Sequence, residues 1–340
     1  MARAPRRPHM QTPLCSLLDV DRPIVQAPIG SATCPDLAAA VADAGAVGHL
    51  AVTWRSLDDT RDVIRRTHER TDGAFAVNLA LDDRTTHRPT DDHLDAALDA
   101  GADVVSLSFG DPAPHVDRIH DAGATVLATV GTAAEAREAE RAGVDAVVAQ
   151  GWEAGGHLQS DVATMPLVPR VVDAVDVPVI AAGGIADGRG VAAALTLGAD
   201  GAWLGTRFVA CEEANVVDDY RERVADADAT DAVRTDLFDK GWPGRDHRVL
   251  ENSTIEAWEQ AGRPGPGERP GESDTVGAYP DGHPVERYGD DIPVAGATGE
   301  TEAWALYAGQ SAGLADEVRP AAEVVDALVA EAEAALERAP

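Results

Sequence analysis

The chain has 340 residues, 44% hydrophobic and 26% charged, the balance of a soluble globular protein with one large α/β domain or two small ones. Asp and Glu number 59 against 28 Lys and Arg, a formal net charge of −31. Such a field repels phosphate backbones and anionic lipid, so nucleic acid and membrane surfaces are excluded as partners. No run approaches the ~18 apolar residues of a membrane-spanning helix.

Lys240 is the only lysine, so nearly all positive charge is arginine. Acid-rich, lysine-poor composition suits a halophilic, salt-rich cytoplasm, where screening relieves self-repulsion; an acidic protein from a GC-rich genome is the alternative. Cys15, Cys34 and Cys211 are far apart, with no CxxC, and support neither a disulfide framework nor a zinc site. Residues 1–20 read as an N-terminal tail without the apolar region of a secretory signal, with Met10 as an alternative start. A cytoplasmic protein is expected.

From about residue 20 to 210 one unit repeats: a Val-rich apolar stretch, an Ala-rich charged stretch, then a glycine. Gly45, Gly73, Gly101, Gly123, Gly143 and Gly198 punctuate it, often in phrases such as Asp99-Ala-Gly-Ala102. Glycine there suits the left-handed position that closes a helix. The runs that follow are short and continuous, as in parallel strands covered on both faces. Strands are predicted at 23–27, 47–52, 74–79, 103–108, 125–130, 146–150, 179–182 and 202–205, with helices between them, for example at 36–44, 133–142 and 189–197. Eight βα units predict an α/β fold, a (β/α)8 TIM barrel over 21–240; an open doubly wound sheet is the alternative. Beyond the barrel, 212–239 reads as acidic helix and 262–299, rich in Gly, Pro, Asp and Glu, as a loop-like excursion. A helix is expected at 320–338. Residues 241–340 are expected to form a C-terminal loop-rich and helical extension packed on the barrel.

Barrel active sites lie at the C-terminal ends of the strands, with phosphate near the last two. Three successive strand ends carry glycine-rich loops: Gln150-Gly-Trp-Glu-Ala-Gly-Gly-His157, Ala181-Ala-Gly-Gly-Ile-Ala-Asp-Gly188 and Leu204-Gly-Thr-Arg-Phe208. Gly183, Gly184, Gly205 and Thr206 let backbone N–H groups reach a phosphate, which matters where lysine is missing; tight βα turns are the structural alternative. His157 is the candidate proton-transfer residue, its preceding glycines letting it lean over a ligand; a loop histidine bonded to backbone is the alternative. His87, His93, His115, His120 and His283 are expected on the surface, and no metal site is expected. Asn78 and Gln150 end strands and could face a cofactor ring or cap a turn. Residues 28–31 could let backbone approach a flat ligand. Without a strand-end lysine, Schiff-base chemistry is improbable, which leaves a bound organic cofactor as the simplest source of reactivity.

Taken together, the strand-six loop, Ala181-Ala-Gly-Gly-Ile-Ala-Asp-Gly-Arg189 and Gly198-Ala-Asp-Gly-Ala-Trp-Leu-Gly-Thr-Arg-Phe208 resemble the nitronate monooxygenase (2-nitropropane dioxygenase) family, as do Pro23-Ile-Val-Gln-Ala-Pro28 and Tyr307-Ala-Gly-Gln-Ser-Ala-Gly313. The resemblance implies FMN as cofactor. It puts Asn78, Gln150, Gly155 and Gly184 on flavin-contacting positions, Trp203, Leu204, Gly205 and Thr206 on the phosphate stretch, and His157 on the catalytic base. Trp203-Leu204 departs from the Gln-Met common in the family. The implied reaction is oxidation of alkyl nitronates by dioxygen to carbonyl compounds and nitrite. FMN-dependent NAD(P)H enoyl or quinone reductases of the same family are the alternative within enzymes, and a non-catalytic flavin-binding protein the alternative outside them. Expected partners are a small-molecule substrate and dioxygen; a homo-oligomer is compatible with the sequence.

Overall fold

The glycine punctuation does what helix closure requires. In the computed structural model, which describes residues 10–85 and 89–338, Gly45, Gly101, Gly123, Gly143 and Gly198 all have positive φ, from +78° to +96°. Gly73 does not; it is small because a Cβ there would stand 2.9 Å from the Ala42 carbonyl oxygen.

Six strands come first: β1 (Ile24–Gln26), β2 (Gly48–Ala51), β3 (Phe75–Ala80), β4 (Val104–Ser108), β5 (Thr125–Val130) and β6 (Ala146–Gln150). A two-residue strand, β7 (Gly156–His157), interrupts the series, which β8 (Val179–Ala182) and β9 (Gly201–Leu204) complete. All barrel strands are parallel, in the order β1-β9-β8-β6-β5-β4-β3-β2. The ring is completed between β1 and β2: Gln26 N donates to Val47 O at 2.9 Å and Val47 N to Ile24 O at 3.0 Å. The open doubly wound sheet is thereby excluded.

Strand parity divides the apolar residues into two layers. Val25, Val47, Ala76, Val104, Val148, Ile180 and Trp203 fill the barrel interior. Ile24, Leu50, Val77, Val105, Val147, Ala202 and Leu204 face outward to the helices. The barrel helices are α2 (Pro35–Asp43), α3 (Leu57–His68), α4 (Thr90–Asp99), α5 (Ala113–Asp121), α6 (Ala133–Ala142), α7 (Thr164–Val172) and α8 (Gly188–Thr196). Several carry side-chain caps, such as Asp187, whose carboxylate accepts from Gly190 N at 2.9 Å at the start of α8.

The expected tail contains packed structure. Helix α1 (Pro13–Leu18) precedes the barrel, and its Leu14 and Leu18 join the interior cluster. Leu14 occupies the space beside Gly201, where a Cβ would lie 2.4 Å from Leu14 Cδ2.

After β9 come α9 (Thr206–Val209), α10 (Asp218–Asp226), β10 (Ala232–Thr235), β11 (His247–Leu250) and α11 (Ser253–Gln260). The acidic helix expected over 212–239 is therefore shorter than predicted and gives way to a strand, because β10 finds an antiparallel partner in β11. The excursion at 262–299 is likewise structured. Strands β12 (Thr275–Ala278), β13 (Pro284–Glu286) and β14 (Thr298–Gly299) form a small antiparallel sheet. Val276, Val285, Ala303 and Trp304 give it a core, two of them from beyond the biased composition. The last helix, α12 (Ala321–Arg338), follows Pro320 and packs on α8. A Cβ on Gly188 would stand 2.4 Å from Ala332 N, so the two helices meet at backbone distance.

Candidate active site

A cavity of about 520 Å³ opens at the C-terminal ends of the barrel strands. His157, Asn78, Gln150, Gly155, Gly183, Gly184, Trp203, Gly205 and Thr206 all border it. Leu204 does not; its strand parity sends it into the outer layer, and it is buried there. No Lys or Arg is among the lining residues.

One end is made of backbone. Gly183 and Gly184 have φ of +103° and +73°, conformations that exclude most side chains. They are locked to the strand-six loop through Thr164, whose hydroxyl lies 3.0 Å from Gly183 O and 2.8 Å from a Glu153 carboxylate oxygen. A Cβ at Gly205 would meet nothing nearer than Ala27 Cβ at 3.5 Å. Thr206 Oγ1 accepts from Gly309 N at 2.9 Å, which ties this end to the C-terminal extension.

Gln150 and Gly155 also organise the loop. Gln150 Oε1 accepts from Gln159 N at 2.6 Å. A Cβ on Gly155 would lie 2.4 Å from Gly309 N, so glycine is required by the approach of the 308–309 backbone.

Asn78 has a fixed polarity. Its Nδ2 donates to Ser106 Oγ at 2.9 Å and to the carbonyl of Ser106 at 3.2 Å. A carbonyl can only accept, so the amide nitrogen is the atom turned that way, and Oδ1 is left for the other side. Beneath it, His49 Nε2 lies 2.8 Å from the same Ser106 hydroxyl and Nδ1 lies 3.1 Å from Gln26 O. Burial lowers the His49 pKa to about 3, and its ring meets Trp203 edge-on at 4.7 Å. Gln26, His49 and Ser106 were not identified from sequence; the available signal was a polar residue inside each of three apolar strands.

The opposite end is made of side chains. His157 is held by strand pairing rather than by flexible glycines: β7 pairs antiparallel with β11, His157 opposite His247. Its ring lies among Trp242 at 4.2 Å, Tyr307 at 5.3 Å, His247 at 5.4 Å and Phe109 at 6.4 Å. Nε2 is enclosed and has no hydrogen-bond partner. Burial, with smaller contributions from His247 and Arg245, pushes the imidazole well below its ordinary pKa. A neutral ring is what proton abstraction needs. Trp242 is fixed by Asp82, which accepts from Trp242 Nε1 at 3.0 Å and pairs with Arg245 and Arg84. Burial opposes the Asp82 charge, but these donors prevail and hold its carboxyl well below the usual range. Phe109, Trp242 and His247 come from distant segments that no local motif marks.

Of the histidines expected at the surface, His120 and His283 are exposed and His115 is half-buried. His93 is buried, because its Nε2 reaches Arg55 O at 2.9 Å. His87 lies outside the described residues. Among the described residues no three His, Cys, Asp or Glu side chains are grouped as a metal ion requires, and no helix is long and apolar enough to cross a membrane.

The family description "Nitronate monooxygenase" matches residues 11–331. A nitronate monooxygenase of Paraburkholderia phytofirmans is 34% identical over 96% of this chain and 96% of its own. The (3aS,4S,5R,7aS)-5-hydroxy-7a-methyl-1-oxo-octahydro-1H-indene-4-carboxyl-CoA dehydrogenase of Mycobacterium tuberculosis is 32% identical over 95% and 96%. Among solved structures, FabK from Thermotoga maritima superposes with a TM-score of 0.84 at 33% identity, covering 96% of this chain and 98% of its own. Nitroalkane oxidase from Streptomyces ansochromogenes gives 0.76 at 32% identity, covering 95% and 98%. A TIM barrel with this site and these relatives belongs to the nitronate monooxygenase family, and the chain is an oxidoreductase.

Proposed function

We propose that the protein uses FMN to oxidise alkyl nitronates and nitroalkanes with dioxygen, giving carbonyl compounds and nitrite. The family uses flavin, and a cavity of about 520 Å³ falls within the usual range for bound organic ligands. The observation that carries the reading is His157: a neutral imidazole bordering the cavity beside Trp242, Tyr307 and Phe109.

Bound FMN would supply the redox chemistry. The protein's own residues bind, orient and move a proton. Backbone N–H groups at Gly183, Gly184, Gly205 and Thr206 would hold the phosphate in place of a cation. Asn78 would offer Oδ1 as an acceptor to the ring system. Gln150 and Gly155 keep the strand-six loop in register, and Trp203 forms part of the floor. His157 would take the α-proton of a neutral nitroalkane, while Trp242, Tyr307 and Phe109 keep water away from it. A nitronate arrives without that proton and needs only binding.

The reading extends to the setting: composition favours a salt-rich cytoplasm. An NAD(P)H-dependent enoyl or quinone reductase is the second reading, favoured by likeness to a relative named as a carboxyl-CoA dehydrogenase. The deciding experiment is anaerobic. The purified yellow protein is mixed with a nitronate or with NADH and followed at the flavin's visible band. Bleaching by the nitro compound and not by NADH is expected; rapid bleaching by NADH alone moves the assignment to the reductases.

A further inference from the structure

Three consecutive barrel strands carry a polar side chain into an otherwise apolar interior. His49 on β2, Asn78 on β3 and Ser106 on β4 share the strand parity of Val47, Ala76 and Val104, which fill that interior. All three are buried, and Asn78 stands directly opposite Ser106 in the β3–β4 register. Buried polar groups are costly unless each finds a partner, a demand that an apolar set would not make. Of the three only Asn78 borders the cavity; His49 and Ser106 lie behind it and touch nothing that reacts.

The hydrogen bonds among them can run in one direction only. His49 Nδ1 lies 3.1 Å from the carbonyl oxygen of Gln26, which can only accept, so Nδ1 carries the ring proton. Burial keeps the ring uncharged, so Nε2 has no proton of its own. Nε2 lies 2.8 Å from Ser106 Oγ and therefore accepts from that hydroxyl. With its one proton committed to His49, Ser106 Oγ offers Asn78 only lone pairs, and Asn78 Nδ2 donates to it at 2.9 Å. The Ser106 carbonyl takes a second bond from the same nitrogen at 3.2 Å. Asn78 Oδ1 accepts nothing from the described residues and is not enclosed by them, so it is the atom presented to the cavity. Reversing the amide would set Oδ1 against the Ser106 carbonyl oxygen and leave the hydroxyl without its donor.

We propose that His49 is a positioning residue: through Ser106 it fixes which end of the Asn78 amide faces the cofactor, so that the cavity offers the ring system an acceptor and not a donor. The inference rests on the FMN reading and deepens it, because an acceptor of fixed polarity can be met only by a ring N–H. His49 also packs edge-on against Trp203 at 4.7 Å, and the test has to separate that contact from the relay.

The first measurement uses the native sequence. Nitrogen NMR of isotope-labelled histidine, with His49 identified by its absence from the His49→Gln spectrum, should find the proton on Nδ1 in the flavin-loaded protein and in the apoprotein. The resonance should not titrate between about pH 5 and pH 8. A proton on Nε2, or a titration in that range, overturns the proposal.

The second is a fluorescence titration of apoprotein with FMN. His49→Phe keeps a ring beside Trp203 but has no acceptor, whereas His49→Gln restores an oxygen acceptor to the Ser106 hydroxyl. His49→Phe should weaken FMN about five- to tenfold, the range of one hydrogen bond, and His49→Gln should hold it within about twofold. In a Ser106→Ala background His49→Phe should add nothing, since the link through which it acts is gone. Equal losses in His49→Phe and His49→Gln, or losses that add in the double variant, make His49 a packing residue and overturn the relay. The two readings fail separately: a protein that takes up no FMN while His49 keeps its proton on Nδ1 sinks the cofactor assignment and leaves the relay standing.

Discussion

The two ends of the cavity are built by different means. At the end of β8 and β9 the wall is glycine backbone, left-handed at Gly183 and Gly184 and placed by the barrel itself. At the other end the wall is side chains, Trp242, Tyr307, Phe109 and His157, gathered from segments separated by tens to about 200 residues. The backbone end depends on the absence of side chains at Gly183 and Gly184. The side-chain end depends on long-range pairing, above all β7 on β11. One wall is suited to a fixed group common to a family, the other to a substrate that differs among its members.

The largest effect should come from the side-chain end. His157→Asn should lose ~10²–10⁴-fold in activity on neutral nitroalkanes, the usual contribution of a general base. Flavin content should hardly change, and the loss on preformed nitronate should be smaller. Equal small losses on both substrates would make His157 a structural residue and erase the distinction between the ends. The backbone end should show the converse. Gly184→Val forces a branched side chain into φ of +73°, 3.2 Å from Glu153 Cβ. Strain of this kind corresponds to roughly 10–100-fold weaker FMN binding. Unchanged FMN affinity, measured by fluorescence titration of the apoprotein, would remove the phosphate from this loop.

A third test concerns charge. No Lys or Arg lines the cavity, and the whole chain carries −31. Screening at ~1 M salt, where the Debye length is ~3 Å, should raise the melting temperature by roughly 10 °C and strengthen FMN binding. A flat melting temperature would discard the salt-rich setting, and FMN affinity that falls with salt would mean a cation holds the phosphate after all. The smallest effect should be a few degrees in melting temperature, of opposite trend at Asp290. Burial, reinforced by Asp291, puts its folded pKa at about 7, above the ordinary carboxyl value, so the folded state keeps a proton that the unfolded chain has lost. Its contribution to stability falls as pH rises from ~4 to ~7 and is level above that. The advantage of Asp290→Asn over the native protein should therefore widen across that window and then hold; a constant difference would mean that Asp290 ionises normally.

The same contrast explains what could be read in advance. The barrel was legible because most βα units announce themselves locally, through an apolar run and a helix-closing glycine. The backbone end of the cavity was legible for a related reason, since Gly183, Gly184 and Gly205 are conspicuous as residue types. That His157 borders the cavity was legible from its place after two glycines, but the cause of that placement was not: β11 lies about 90 residues further on. A motif of neighbours does not carry strand alternation, which turns Trp203 inward and Leu204 outward. The sheet within 262–299 escaped notice because its few apolar residues, Val276 and Val285, gain their partner, Trp304, from outside the segment.

Helix α1 has a consequence for traffic. Leu14 and Leu18 stopper the N-terminal mouth of the barrel, and the interior above them is filled. Among the described residues, a molecule of substrate size therefore reaches the cavity from the C-terminal face of the barrel. Whatever enters must leave the same way before another of its kind can follow, so a carbonyl product is its own substrate's competitor for the passage. In a steady-state experiment that queue would appear as product inhibition competitive with substrate, imposed by a helix at the opposite end of the molecule.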